Sequence, residues 1–333
     1  MNIGDIAEMA GVSRAAVSRY LNHGYISEEK KERIRKVVEE TGYKPSIMAQ
    51  TLRTKKTRLI GVILPRINSD SISSVVEGIT DELTKSGYET LLATTANDPE
   101  KEIEYLKVFS HNRVDGVILL ATVFTEEHKR LLEEMSIPVV IVGQRLSGYS
   151  CIYHDDFDAG HDLTRKILEE GYKCPAYIGV LKEDIAVGTR RYEGFVKAME
   201  ENGLAVDPLR TCIADFSIES GYQKMGELLD QNPTIDAVIC ATDRIAVGAM
   251  RCLKDRWKRI PEDVAVAGFG DNVASAVTTP SITTVHFHYK ESGAQAAAII
   301  MEQLMGKAVA SAEIKLGYEV MLRQSTHVKG AKE

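Results

Sequence analysis

Five residues on one predicted helix have the types and spacing for reading a nucleic acid. Arg14, Ala15, Ser18, Arg19 and Asn22 share its exposed face, and that face carries no acid. An arginine near the start of a helix lodged in the major groove can fork onto O6 and N7 of guanine. Further on, Pro45 to Leu52 is an apolar-tipped segment beside a basic stretch, Thr54-Lys55-Lys56-Thr57-Arg58. There a leucine can wedge between base pairs from the minor groove. A second set of polar groups falls where buried strands should end: Asn68-Ser69-Asp70-Ser71, Gln144, Arg190-Arg191, Phe216, Asp243 and Asp271. A sugar needs such donors and acceptors together with an aromatic face for its C–H side. Each of these residues taken alone reads equally as an ordinary loop or capping residue; Asp243 can simply cap the helix that follows it.

Other constellations carry less. His154, Asp155, Asp156 and His161 suggest a metal but read better as loop and helix-start residues, and His286 with His288 lacks a third ligand. Gly268-Phe269-Gly270 is not a dinucleotide fingerprint, because Val273 holds the third glycine position. No nucleophile motif or phosphate loop is present, so neither cofactor nor catalysis is expected. The five cysteines, Cys151, Cys174, Cys212, Cys240 and Cys252, are scattered without a C-x-x-C and read as reduced core thiols.

The elements that must position these groups come in two styles. Ile3, Ile6, Ala7 and Ala10 line one helical face; Ala10-Gly11-Val12-Ser13 breaks it, with Gly11 suited to a positive φ and Ser13 to capping the next helix. That helix covers 14–21, a third runs from near Ser27 to Thr41 with Gly42 as its cap, and Ser46 to Arg53 forms a fourth segment. From Leu59 apolar runs alternate with amphipathic stretches. Strands are predicted at 59–64, 88–94, 114–121, 138–142, 175–180, 210–213, 236–241, 264–269 and 283–287, with helices between them and a last helix over 290–305. Two such series predict two α/β lobes with a cleft at the carboxyl ends of their strands.

The chain has 333 residues and a formal net charge of −7, which by itself argues against a nucleic-acid binder. The charge is unevenly placed. Residues 1–58 hold 12 Lys/Arg against 7 Asp/Glu, and the remainder 29 against 41. A basic head on an acidic body confines phosphate contact to the head. The opening MNIGDIAEMAGVS has no charged region leading into an apolar one, and no run of 18 apolar residues occurs, which predicts a cytoplasmic protein that does not enter a membrane.

The head text, Ile3-Gly4-Asp5-Ile6-Ala7 through Ala10-Gly11-Val12-Ser13 and Val17-Ser18-Arg19 to Leu21-Asn22, resembles the lactose/galactose repressor family of bacterial transcription regulators. Gly42-Tyr43-Lys44-Pro45-Ser46, then Ala49 and Leu52, is similar to that family's hinge helix, and the likeness runs to Arg323-Gln324-Ser325-Thr326. It implies an α/β protein: a helix-turn-helix head over 1–45, a hinge helix and linker over 46–58, and a two-lobed periplasmic-binding-protein-like body with parallel sheets over 59–330. Lobe one would take about 59–158 and 290–320, and lobe two about 159–289.

The resemblance implies DNA contacts from Ser13, Arg14, Ala15, Ser18, Arg19, Asn22, Ala49 and Leu52. Arg14 and Ala15 would choose the operator, Arg19 would read a base and Leu52 would intercalate. Ala16 and Ser46 depart from the usual Thr and Asn. In the body it implies effector contacts from Asp70, Ser71, Gln144, Arg191, Phe216, Asp243, Asp271 and Tyr289. Thr242 stands where Asn is usual, and Gly270 where many relatives carry an effector-binding Asp, so Asp271 is expected to take over that role or the contact is missing. The segments VVIVGQ, YHDD, GFGDN and KLGYEV look most like sucrose-operon repressors. The implied partners are a palindromic operator, sucrose or a related sugar, and a second copy of the chain. A solute-binding protein or sugar-processing enzyme on the same two lobes is the alternative, but neither accounts for the basic head.

Overall fold

A computed structural model describes residues 1–22, 24–43, 56–111, 114–120, 122–307 and 311–326. The chain parts into two compact units, Met1–Arg58 and Leu59–Glu333.

The first unit is built on three helices, α1 (Ile3–Met9), α2 (Arg14–Leu21) and α3 (Glu28–Thr41). The side chain of Asn2 accepts from the backbone N–H of Gly4 and Asp5, and Asp5 accepts from Asn2 N–H at 2.7 Å, so the orphan N–H groups at the start of α1 find partners. Gly11 turns the chain at φ +60°, and its carbonyl accepts from Arg33 Nη2 at 3.0 Å. Ser13 caps α2, its Oγ accepting from Ala16 N–H at 3.2 Å. Ile6, Ala7, Ala10, Ala16, Val17, Ile34 and Val37 form the small core. Pro45, Ser46, Ala49 and Leu52, the expected hinge helix, lie outside the described residues.

From Leu59 strand and helix alternate: β1 (Leu59–Leu64), α4 (Asp70–Lys85), β2 (Glu89–Thr94), α5 (Pro99–Ser110), β3 (Gly116–Leu120), α6 (Glu126–Glu134), β4 (Val139–Val142) and β5 (Ser150–His154). Then come α7 (Asp156–Glu169), β6 (Pro175–Gly179), α8 (Arg191–Glu201), β7 (Thr211–Ile213), α9 (Ile218–Gln231), β8 (Ala237–Cys240), α10 (Asp243–Asp255), β9 (Ala265–Ala267), α11 (Val273–Val277) and β10 (Thr284–Phe287). The chain closes with α12 (Tyr289–Leu304), β11 (Glu313–Leu316) and β12 (Tyr318–Met321). One sheet is wholly parallel in the order β11-β5-β4-β3-β1-β2, and the other parallel in the order β7-β6-β8-β9. Their switch points fall between β1 and β3 and between β6 and β8, which is where such sheets hold ligands.

Several elements were not expected from the sequence: β5, α7, α11, β11 and β12. The strands among them are short, and β11 (Glu-Ile-Lys-Leu) is half exposed, so their hydrophobic runs are weak. The first lobe's return also closes earlier than the expected 320. β11 joins β5, but β12 pairs antiparallel with β10, and Ser325 reaches Val266 of β9, Val266 N–H donating to its carbonyl at 3.0 Å.

The same packing device recurs three times in the body. Where α4 crosses α12, a Cβ on Gly78 would stand 1.9 Å from the Lys290 carbonyl oxygen, and one on Gly293 2.0 Å from that of Val75. Gly160 and Gly194 meet the carbonyls of Arg191 and Phe157 in the α7–α8 crossing, and Gly221 and Gly248 those of Ile245 and Ile218 in the α9–α10 crossing. Each pair of backbones approaches too closely for any side chain. Gly194→Ala, whose Cβ would fall 2.2 Å from the Phe157 oxygen, should therefore lower the free energy of unfolding by about 1–3 kcal/mol. Urea unfolding followed by far-UV circular dichroism measures this; an unchanged midpoint would show that α7 and α8 can separate freely.

Candidate functional site

In the head, α2 and its C-cap Asn22 present Arg14, Ala15, Arg19 and Asn22 exposed, with Ser18 half-buried between them. Asn22 Nδ2 donates to the Ser18 carbonyl. Ser13 Oγ is committed to its cap, and Ala16 is in the core, so no hydroxyl stands at the position where Thr is usual. What remains outward is a pair of cations five residues apart on a helix with no acid in its first turn, the arrangement a phosphate-lined groove attracts.

In the body, a cavity of about 320 Å³ lies at the carboxyl ends of both sheets. Residues after β1 (Arg66, Asn68 to Ser71) and Asn97 after β2 line it from one lobe; Val187, Arg191, Asp215 to Ser217, Thr242 to Arg244, Phe269, Gly270 and Asn272 line it from the other. Tyr289, where the chain crosses back, completes the wall. Arg244 Nη1 spans the mouth to the Asn68 carbonyl at 3.3 Å.

Arg191 begins α8 and is buried. Its Nε donates to Asp156 Oδ1 at 2.7 Å and its Nη1 to the Ala241 carbonyl at 2.7 Å, while its guanidinium carbon lies 4.9 Å from the ring centres of both Phe269 and Phe287. A buried charge survives only when paired and hydrogen-bonded in this way. Asp243 sits in the wall with Oδ1 accepting from Thr284 Oγ1 at 2.6 Å and Oδ2 from Asn272 N–H at 3.1 Å; burial nevertheless pushes its carboxyl up to about 6. Asp184 accepts from Val187 N–H at 3.0 Å and is likewise raised by burial to about 6. Burial drives the His154 imidazole down to about 4, so it stays neutral, and the Tyr289 phenol up to about 12.

Of the residues expected to meet an effector, Asp70, Ser71, Arg191, Phe216, Asp243 and Tyr289 come together around this cavity. Two do not. Gln144 follows β4 and faces a separate cavity with His154, Asp155 and Lys315; its amide donates to the Thr122 carbonyl. Asp271 turns away from the wall. Gly270 adopts φ +132°, a conformation open to glycine, and this swings Asp271 onto Arg323 and His286, whose Nδ1 lies 3.0 Å from Oδ2. A Cβ at Gly270 would stand 3.5 Å from Asp243 Oδ2, an ordinary contact, so it is the backbone conformation and not lack of space that disfavours a side chain there. Arg66, Asn97, Arg244 and Asn272 were not anticipated. Arg66 follows β1 and Pro65 directly, so it was within reach of a stricter reading of where that strand ends. Among the described residues no group of three or more His, Cys, Asp or Glu is placed to hold a metal ion, and no helix is long and apolar enough to cross a membrane.

A DNA-reading head of three helices and a two-lobed cleft on parallel sheets define a transcription regulator. Residues 2–46 match the model for bacterial regulatory proteins of the lacI family, and residues 164–326 that for a periplasmic binding protein-like domain. The chain is 34% identical to the HTH-type transcriptional regulator RegA of Clostridium saccharobutylicum over 98% of its own length and 99% of that protein. It is 32% identical to the sucrose operon repressor of Staphylococcus xylosus over 89% and 91%. The fold matches that of the lac repressor dimer bound to operator and the anti-inducer ONPF at a TM-score of 0.90 and 22% identity, covering 98% and 99% of the two chains. It matches a complex of the transcriptional regulator CelR with cellobiose at 0.76 and 27%, with the same coverage. The chain belongs to the lacI family of bacterial regulatory proteins.

The two raised carboxyls give the body a defined pH response. Between about pH 4 and 6 the folded protein holds protons at Asp184 and Asp243 that the unfolded chain has released. These two carboxyls therefore contribute stability that falls as pH rises through that window, while His154, neutral in the fold but protonated in the unfolded chain over the same range, contributes stability that rises with pH. Melting temperatures of the parent and Asp243→Asn from pH 4 to 7 isolate the Asp243 share: the variant should gain on the parent as pH rises to about 6, and a difference constant across the window would contradict the assignment.

Proposed function

We propose that this protein is a sugar-responsive repressor that binds a near-palindromic operator as a homodimer. The observation that carries the reading is a single chain joining an acid-free recognition face to a cleft lined by the strand ends of two lobes. Two-fold symmetry of the dimer matches two-fold symmetry of the DNA. Arg14 and Ala15 select bases at each half-site and Arg19 reads a further one, with Leu52 entering the central step. In the body, Phe216 and Tyr289 offer aromatic surface to the C–H face of a sugar, and Asp70, Ser71 and Asn68 offer hydroxyl-matched partners. Arg191 already spends two donors on protein acceptors, so it orients the wall as much as it grips the ligand. A sugar that prefers one lobe spacing shifts the population of DNA-competent dimers, and by linkage the operator shifts the affinity for sugar. The names of two relatives, a sucrose operon repressor and a regulator complexed with cellobiose, support a glucose-containing disaccharide or a derivative of one as effector.

Fluorescence anisotropy with a labelled palindromic site, with and without sucrose and related sugars, tests the whole reading. Salt-sensitive, site-specific binding weakened by one sugar is the expected result. Arg19→Ala should remove about 1–3 kcal/mol of preference for operator over random DNA; unchanged discrimination would exclude it as a base reader. Arg191→Ala should abolish the sugar response of the complex while the head still finds its site, and a retained response would place the effector elsewhere.

A further inference from the structure

Three arginines line the cleft, and they are not equivalent. Arg191 has Asp156, and Arg244 has the Asn68 carbonyl. Arg66 lies flat on Phe216, its guanidinium carbon 3.6 Å from the ring centre, and its Nε and Nη1 are buried with no acceptor in the protein. The nearby carboxylates are directed to other donors and none hydrogen-bonds it. Asp215 accepts from Ser217 N–H at 2.7 Å, Asp184 from Val187 N–H, and Asp243 from Thr284 and Asn272. Burial draws the Arg66 pKa down; the carboxylates of Asp184 and Asp215 partly oppose this through space, and the nearby cation of Arg244 adds to it. A stacked, dehydrated guanidinium with idle donors costs free energy unless its partner arrives from outside.

The surroundings say what that partner is. Arg66 belongs to one lobe and Arg244 to the other, so the two like charges oppose each other across the cavity. Beside them α4 begins: Ser69 makes no side-chain cap, and its hydroxyl lies 3.0 Å from that of Ser71, leaving donors at a helix N-terminus. Phe216 beneath the guanidinium fixes the orientation of that planar group, whose fork of donors matches phosphate or carboxylate.

We infer that the effector is an anionic sugar, a phosphate monoester, whose charged group sits on Arg66 between the two lobes. The inference rests on the cleft being the effector site. The anion supplies the acceptors that Arg66 lacks and neutralises its repulsion with Arg244, so it draws the lobes together. The sugar ring then lies toward Tyr289 and Asp243. A neutral sugar can offer hydroxyl oxygens to Arg66 but brings no charge to offset those of Arg66 and Arg244.

Isothermal titration calorimetry of the full-length protein with sucrose, sucrose 6-phosphate, glucose and glucose 6-phosphate tests this, alongside release of labelled operator. At least one ester should bind at least about tenfold more tightly than its neutral parent. Arg66→Gln should erase that advantage, and Arg66→Lys should keep part of it. In the ligand-free protein Arg66→Gln should also raise the melting temperature, because it removes a half-buried cation whose inner donors have no hydrogen-bond acceptor; this readout needs no ligand and exposes a misfolded variant. Equal affinity for parents and esters, or an ester advantage untouched by Arg66→Gln, overturns the inference and leaves the sugar-sensing reading in place. Silence from all four compounds, in calorimetry and in operator release, overturns both.

Discussion

The buried pair between Arg191 and Asp156 is the interaction on which the cleft depends. Asp156 opens α7 and Arg191 opens α8, and the two helices cross with glycines at their closest approach, so the pair pins both helix starts to one point. Arg191 also holds the first carbonyl after β8 and lies against two aromatic rings. Four elements are fixed by one guanidinium. Such a pair adds little net stability over a well-packed apolar substitute, but breaking it by removing one partner strands a charge in the interior. Its return is geometric: it sets the wall of the cavity.

That same geometry explains what the sequence reveals and what it hides. The head is legible nearly to the residue because its signals are local: Gly11 for the turn, Ser13 for the cap, an apolar face every three to four positions. The alternating body is legible in outline for the same reason. Asp156, by contrast, looks like a loop acid beside His154 and Asp155, and its partner is 35 residues away with nothing nearby to announce it. β5 has only a short apolar run before two acids, and β11 and β12 are four residues each, so neither length nor period marks them. Among cleft residues, those named by family position came together where the local backbone keeps its usual path. Asp271 failed because one glycine before it redirects the chain, and Gln144 because the end of β4 looks into a different cavity.

The three glycine crossings show how economically the body is built. In each, two helices on one side of a sheet touch backbone to backbone, which brings the helix starts, and hence the strand-end loops between them, closer than side-chain packing allows. The loops carrying Asp70, Arg191 and Asp243 are each delivered by the first turn of a helix in one of these pairs. Packing at the crossing and chemistry at the cleft are thus one constraint seen at two ends of the same helices.

The order in which the chain visits the lobes has a consequence for synthesis. The helices and core of the head are complete within the first 43 residues. The first lobe lacks β11 on its sheet edge and α12 on α4 until Leu316 has been made, and the edge of β9 is closed only by Ser325. Local contacts form early and distant ones wait for their partners to emerge. A nascent or truncated chain therefore possesses the reading head long before it possesses a finished pocket. Shortening the gene from its far end yields polypeptides in which the three-helix head is whole while the sheet edges that frame the cavity stay open.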